Sequence, residues 1–209
     1  YQRDTFLRMG DCSFALKKYW PAMGYYNTAI ALNVREGAYP LYQKAMCYGF
    51  VYRNPKKIET LNDLKTNYPK DPLLDDTLFE LAAAYSKEGN TQEAITTYEL
   101  LTDKFENSPY LAEASLNKGL ILYNTEQYEK AKEVLEAVAL QYKRYAVAQQ
   151  AVRTLREIAV DQGTVNSFSQ WVRVQGLTTF TDVELEKTAF TAAEKRFLEG
   201  DTNTAQKLL

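Results

Sequence analysis

Between residues 73 and 101 the apolar side chains follow a helical beat twice. Leu74, Leu78, Leu81, Ala82 and Tyr85 recur at intervals of three and four, which places them on one face of a helix. The pattern stops at Gly89, a residue type that closes a helix C-terminus in the left-handed conformation without steric cost. It resumes behind Thr91 with Ala94, Ile95, Tyr98 and Leu101. A "KDP" or "NSP" spacer then ends the second helix and opens the next, since proline suits a first helical turn and breaks a helix interior. The segment predicts helix, turn, helix and spacer.

The same skeleton returns along the chain at an offset of 37 residues. Gly89, Gly163 and Gly200 form one ladder, with Glu126 on its remaining rung. Ala94, Ala131 and Ala205 form another, interrupted by Phe168, and Pro72 and Pro109 share the offset. Ala45 and Tyr48 precede Ala82 and Tyr85 by 37, while Gly10 precedes Ala45 by 35. The predicted units are 3–37, 38–74, 75–111, 112–148, 149–185 and a partial 186–209, in a single array. Thr181 with Glu184 has the spacing of a capping box for a late helix.

These residues resemble the tetratricopeptide repeat, a helix-turn-helix unit with small residues at its eighth and twentieth positions and large ones at its eleventh and twenty-fourth. Ala82, Tyr85, Ala94 and Tyr98 take those four places; Gly10, Ala22 and Tyr26 fit the first unit, and Gly119, Ala131 and Leu135 the fourth. The resemblance implies an all-α, right-handed superhelical solenoid in which the eighth and twentieth residues touch where the two helices cross. Lys57 and Phe168 replace the expected alanine in the second and fifth units, so looser packing is expected there. The long spacing, with "NYPKDP" between units, is similar to bacterial cell-envelope members such as the outer-membrane assembly lipoprotein and the Tol-Pal-associated periplasmic coordinator.

Composition narrows the function. There is no histidine, which removes the commonest general base and metal ligand near neutral pH. No phosphate-binding glycine loop or nucleophile elbow occurs, and the pair Asp75 and Asp76 lies at a helix start, where carboxylates favour the helix dipole. No enzymatic activity, cofactor or metal is expected. A net charge of -2 offers no basic excess for nucleic acid, and no apolar run approaches the roughly 20 residues of a membrane helix. Cys12 and Cys47 are expected to be free, buried thiols, because equivalent positions on stacked helices lie about 8 to 10 Å apart, beyond disulfide reach. The chain lacks an initiator methionine and a signal-peptide core, so it is expected to be an excerpt of something longer. Leu208 and Leu209 are expected to pack on further repeats or on a second copy through the C-terminal end.

Tyrosine and phenylalanine together number 25, most of them expected in the core. The resemblance assigns a subset to the groove lined by the first helix of each unit. The first unit contributes Asp4, Leu7, Asp11 and Phe14, and the second Tyr39, Tyr42, Met46 and Phe50. The third gives Asp76, Phe79, Ser86 and Lys87, and the fourth Glu113, Leu116, Leu120, Tyr123 and Asn124. The expected function is a protein-interaction scaffold that binds a peptide or helix there, with Asp76 and Glu113 favouring basic partners. A periplasmic or envelope setting is expected, the alternative being cytoplasmic. The rival reading is an assembly subunit that packs through its ends and convex face and leaves the groove empty.

Overall fold

The computed structural model describes residues 1–33, 36–177 and 179–208, and among these it has twelve α-helices and no strand. They pair in chain order as hairpins: α1 (Gln2–Ala15) with α2 (Tyr19–Leu32), α3 (Ala38–Phe50) with α4 (Asn54–Asn67), and α5 (Leu74–Lys87) with α6 (Thr91–Lys104). Then come α7 (Leu111–Asn124) with α8 (Tyr128–Gln141), α9 (Ala146–Gln162) with α10 (Val165–Val174), and α11 (Asp182–Leu198) with α12 (Thr202–Leu208). The chain divides into two compact units, Tyr1–Leu111 and Ala112–Leu209, each holding three hairpins. α11 begins inside the stretch that the 37-residue spacing gives to the fifth unit. The reason is local: Thr181 and Glu184 form the anticipated capping box, each side chain accepting from the other's backbone N–H.

In the first unit each helix packs on the next, from α1 through to α6. Ala22, Met23, Tyr26 and Cys47 make one buried cluster and Ala45, Leu61 and Leu81 another, so the core runs between successive hairpins as well as within them. A Cβ on Gly10 would lie 2.5 Å from Cε1 of Tyr26, and one on Gly119 would lie 2.6 Å from Cδ2 of Leu135. At these two crossings the eighth position is small because the large residue at the twenty-fourth fills the space beside it. In the second hairpin Lys57 is accommodated one turn along α3, where Gly49 has no side chain: a Cβ there would sit 3.3 Å from Lys57 Cδ. Its ammonium reaches Glu80 on α5 at 2.5 Å, so this crossing is bridged to the next hairpin.

The turn between the two helices of every hairpin contains one residue with left-handed backbone. These are Lys17 (φ 58°), Tyr52 (φ 57°), Gly89 (φ 78°), Glu126 (φ 58°), Gly163 (φ 69°) and Gly200 (φ 85°). The glycine ladder of the sequence is thus half of a complete structural ladder, and Glu126 keeps the geometry on a residue that favours it less.

Two expectations need correction. Both cysteines are free, but only Cys47 is buried; Cys12 is exposed. Cys47 is enclosed by Ala22, Met23 and Tyr26 of the preceding hairpin, and no described helix stands in that relation to Cys12. Burial pushes the Cys47 thiol up to about 12. Leu208 is buried within this chain, on the short α12 that Asn166 of α10 ties down through a hydrogen bond to the Lys207 carbonyl at 2.9 Å. Leu209 lies outside the described residues.

Candidate functional site

In the first unit the candidate face belongs to α1, α3 and α5. Tyr39 starts α3 exposed, and its hydroxyl donates to Asp11 Oδ1 on α1 at 2.9 Å. The same oxygen accepts from the buried Tyr26 at 2.8 Å. Burial and this bond push the Tyr39 phenol up to about 12, because the phenolate would lose water and meet a carboxylate. Tyr42, one turn further, is half-buried; burial raises its pKa, and Glu80, Asp76 and Asp75 raise it further. The charges of three α5 carboxylates thus act on one phenol.

Beyond Tyr42 the face opens into a cleft of about 280 Å³, lined on α3 by Met46, Gly49 and Phe50. The opposite side supplies Lys57, Glu80, Ala83 and Lys87. Phe50 is 55 % exposed, although one side of its ring stacks on Tyr19 at 4.8 Å. The small residues Gly49 and Ala83 keep the cleft open, and Lys57 with Glu80 supplies a charged pair in it.

Other predicted groove residues have different surroundings. Phe79 is half-buried, stacked on Tyr110 at 4.6 Å and edge-on to Tyr98 at 6.1 Å, so it holds α5 to its neighbours. Asp76 accepts from the Tyr110 hydroxyl at 2.6 Å, a bond that is the main reason the Tyr110 phenol is pushed up to about 12. In the second unit Glu113 and Asn124 are exposed, whereas Leu116 is only 4 % exposed and belongs to the core. The fifth position of the 112–148 repeat is turned inward there, a placement that periodicity alone does not resolve. Tyr123 lies against Tyr128, with ring centroids 6.0 Å apart, and its hydroxyl approaches Asp161 at 3.4 Å.

Residues 76–108 and 112–140 each match the tetratricopeptide-repeat family. The chain carries tetratricopeptide repeats. No curated protein matches its sequence. Among solved structures it is similar to MamA, at 15 % identity and TM-score 0.68, covering 94 % of each chain. It is also similar to a tetratricopeptide repeat protein from Parabacteroides merdae, at 14 % identity and TM-score 0.68, covering 99 % of this chain and 77 % of that one. A third is YrrB, described as a tetratricopeptide protein with an unusual peptide-binding site, at 14 % identity and TM-score 0.63, covering 97 % and 89 %. At these identities the likeness establishes the fold.

Within the tetratricopeptide framework the features that sequence reading missed are the carboxylate clamps. Asp11 serves Tyr26 of its own hairpin and Tyr39 of the next, and Asp76 serves Tyr110, which immediately precedes α7. Their partners lie 15, 28 and 34 residues away, so no single offset reveals them. No described helix is long and apolar enough to cross a membrane.

Proposed function

We propose that this chain is a non-enzymatic interaction scaffold whose first unit binds an extended or helical segment of a partner protein along α3 and α5. The observation that carries the reading is the open cleft beside Phe50 and Met46, one helical turn along α3 from Tyr42, on which the charges of Glu80, Asp76 and Asp75 act. A preformed surface with an exposed aromatic anchor binds without much of the ordering cost that flexible sites incur. The carboxylates favour a ligand with lysine or arginine next to an apolar residue, chiefly by speeding association. Tetratricopeptide repeats serve as interaction scaffolds, and the 37-residue spacing supports a place in bacterial envelope assembly or transport. Fractionation of cells that make the native protein tests that setting.

The groove is tested by selecting peptides from a random library on the immobilised chain and measuring the winners against Met46→Ala, Phe50→Ala and Glu80→Gln. The expected result is a consensus pairing an apolar residue with a basic one, weakened about tenfold or more by these changes at a temperature where the melt of each variant shows it fully folded. Peptides that bind all three variants as well as the parent would overturn the assignment.

A further inference from the structure

The first two hairpin tips of the first unit differ from those of the second unit in a way the groove does not explain. The tip between α1 and α2 reads "LKKYW" and that between α3 and α4 reads "FVYRNPKK". Leu16 is 66 % exposed, Trp20 61 % and Tyr52 86 %, a concentration of large apolar surface at the ends of two short turns. Lys17, Lys18 and Arg53 are exposed beside them, and none forms an ion pair among the described residues. Lys56 and Lys57 also lie here, each held by a glutamate, at 2.7 and 2.5 Å.

The tips form one edge. Phe14 and Tyr19 of the first hairpin pack on Phe50 of the second, with centroids 5.6 and 4.8 Å away. Asn54 donates to the Ala84 carbonyl at 3.0 Å and to Glu88 at 2.9 Å, and Lys87 lies over the Tyr52 ring at 5.8 Å, which joins the third tip to the second. The turns of the second unit, "NTEQY", "QGTV" and "EGDT", contain Glu126, Glu199 and Asp201, and the only cation in the stretch equivalent to "FVYRNPKK" is Lys130 on α8, which donates to Gln127.

We propose that this edge of the first unit docks on an anionic lipid surface, with Leu16, Trp20 and Tyr52 entering the headgroup boundary and Lys17, Lys18 and Arg53 facing lipid phosphates. Tryptophan and tyrosine have an apolar body and a polar tip suited to that boundary, and long cationic side chains bury their stems while keeping the charge in the polar layer. Lysine is depleted at protein–protein interfaces and rewarded at anionic bilayers, which favours lipid over an acidic protein segment. The docking is peripheral; Phe50, Asn54, Lys57 and Lys87 border both this edge and the cleft, but none of the six residues placed at the lipid lines the cleft, so the two proposals are tested by different variants.

The test uses the full chain carrying Trp171→Phe, which leaves Trp20 as the sole tryptophan reporter. Co-sedimentation and Trp20 emission are measured with vesicles of phosphatidylcholine, with and without phosphatidylglycerol. Binding with a blue shift is expected only on the anionic vesicles, and high salt should reverse it. Each cation is worth about fivefold in partitioning, so Lys17→Gln, Lys18→Gln and Arg53→Gln together should cost about a hundredfold. Trp20→Ala and Leu16→Ala should each lose several-fold at unchanged helicity and melting. The proposal is overturned by no binding at low salt, by binding that survives the triple change, or by sedimentation without a Trp20 shift. A soluble polyglutamate peptide that shifts Trp20 while vesicles do not would likewise overturn it and point to an acidic protein.

Discussion

Two glycines on adjacent helices give a controlled measurement of the hairpin crossing. Gly24 sits mid-way along α2 with nothing within 4 Å of a built Cβ, whereas a Cβ on Gly10 of α1 would come 2.5, 2.8 and 2.9 Å from three atoms of the Tyr26 ring. Replacing either by alanine gains about 1 kcal/mol of helix propensity. At Gly24 that gain stands alone. At Gly10 the ring must withdraw by about 1 Å to restore carbon contact distance, yet it is fully buried against Met23 and Cys47 and its hydroxyl is tied to Asp11 at 2.8 Å. Overpacking of this kind costs about 1 to 3 kcal/mol, and stretching the bond to Asp11 adds about 1 kcal/mol. The expected net effects are a gain of about 1 kcal/mol for Gly24→Ala and a loss of about 1 to 3 kcal/mol for Gly10→Ala. Urea melts of both variants measure the difference. Tyr26→Phe, which frees the ring from Asp11, should recover part of the Gly10→Ala loss in a double-mutant cycle. If Gly10→Ala stabilises as much as Gly24→Ala does, the eighth and twenty-fourth residues do not meet as described.

The left-handed ladder makes a paired prediction. Glu126→Gly should stabilise by about 0.5 to 1 kcal/mol, and Gly89→Ala, whose added methyl meets nothing, should destabilise by a similar amount; same-signed shifts in denaturant midpoint would refute it. The tyrosine clamps predict an alkaline dependence. The Tyr39 and Tyr110 phenols are raised from 10.0 to about 12, so above pH 10 the unfolded chain binds fewer protons than the folded one, and stability complete below that pH is lost as pH rises towards 12. Melting temperature followed through this window should fall less steeply in Tyr39→Phe and Tyr110→Phe than in the parent, and parallel curves would discount the clamps.

The helices were legible because their signals are local: apolar spacing, proline at starts and glycine at the 37-residue rungs. The Thr181 capping box was legible for the same reason. The lateral contacts were less so. Lys57 looked like a defect at an alanine position, yet Gly49 makes room for its stem and Glu80 pairs its charge; both partners lie outside the pattern that defines the repeat. The groove assignment depended on register, and an error of one face moves a side chain from cleft to core. Phe50 and Met46 reach the cleft, while Phe79 stacks on Tyr110 and Leu116 is buried. A first helix with neighbours on either side donates aromatic rings in both directions, and the hydrophobic pattern does not distinguish them.

Net charge hid more than it showed. A total of -2 argues against a phosphate-rich partner only if the charge is evenly spread. In the first unit Asp75, Asp76 and Glu80 lie on α5, where their charges act on Tyr42, while Lys17, Lys18 and Arg53 are exposed at the hairpin tips. Each patch acts within the roughly 8 Å screening length of physiological salt, so two patches of opposite sign present different fields to a ligand even though their sum is small. A repeat architecture favours that separation. Every hairpin offers the same two surfaces, helix face and turn tip, and substitutions in the short turns alter the second while leaving the packed crossings of the first in place.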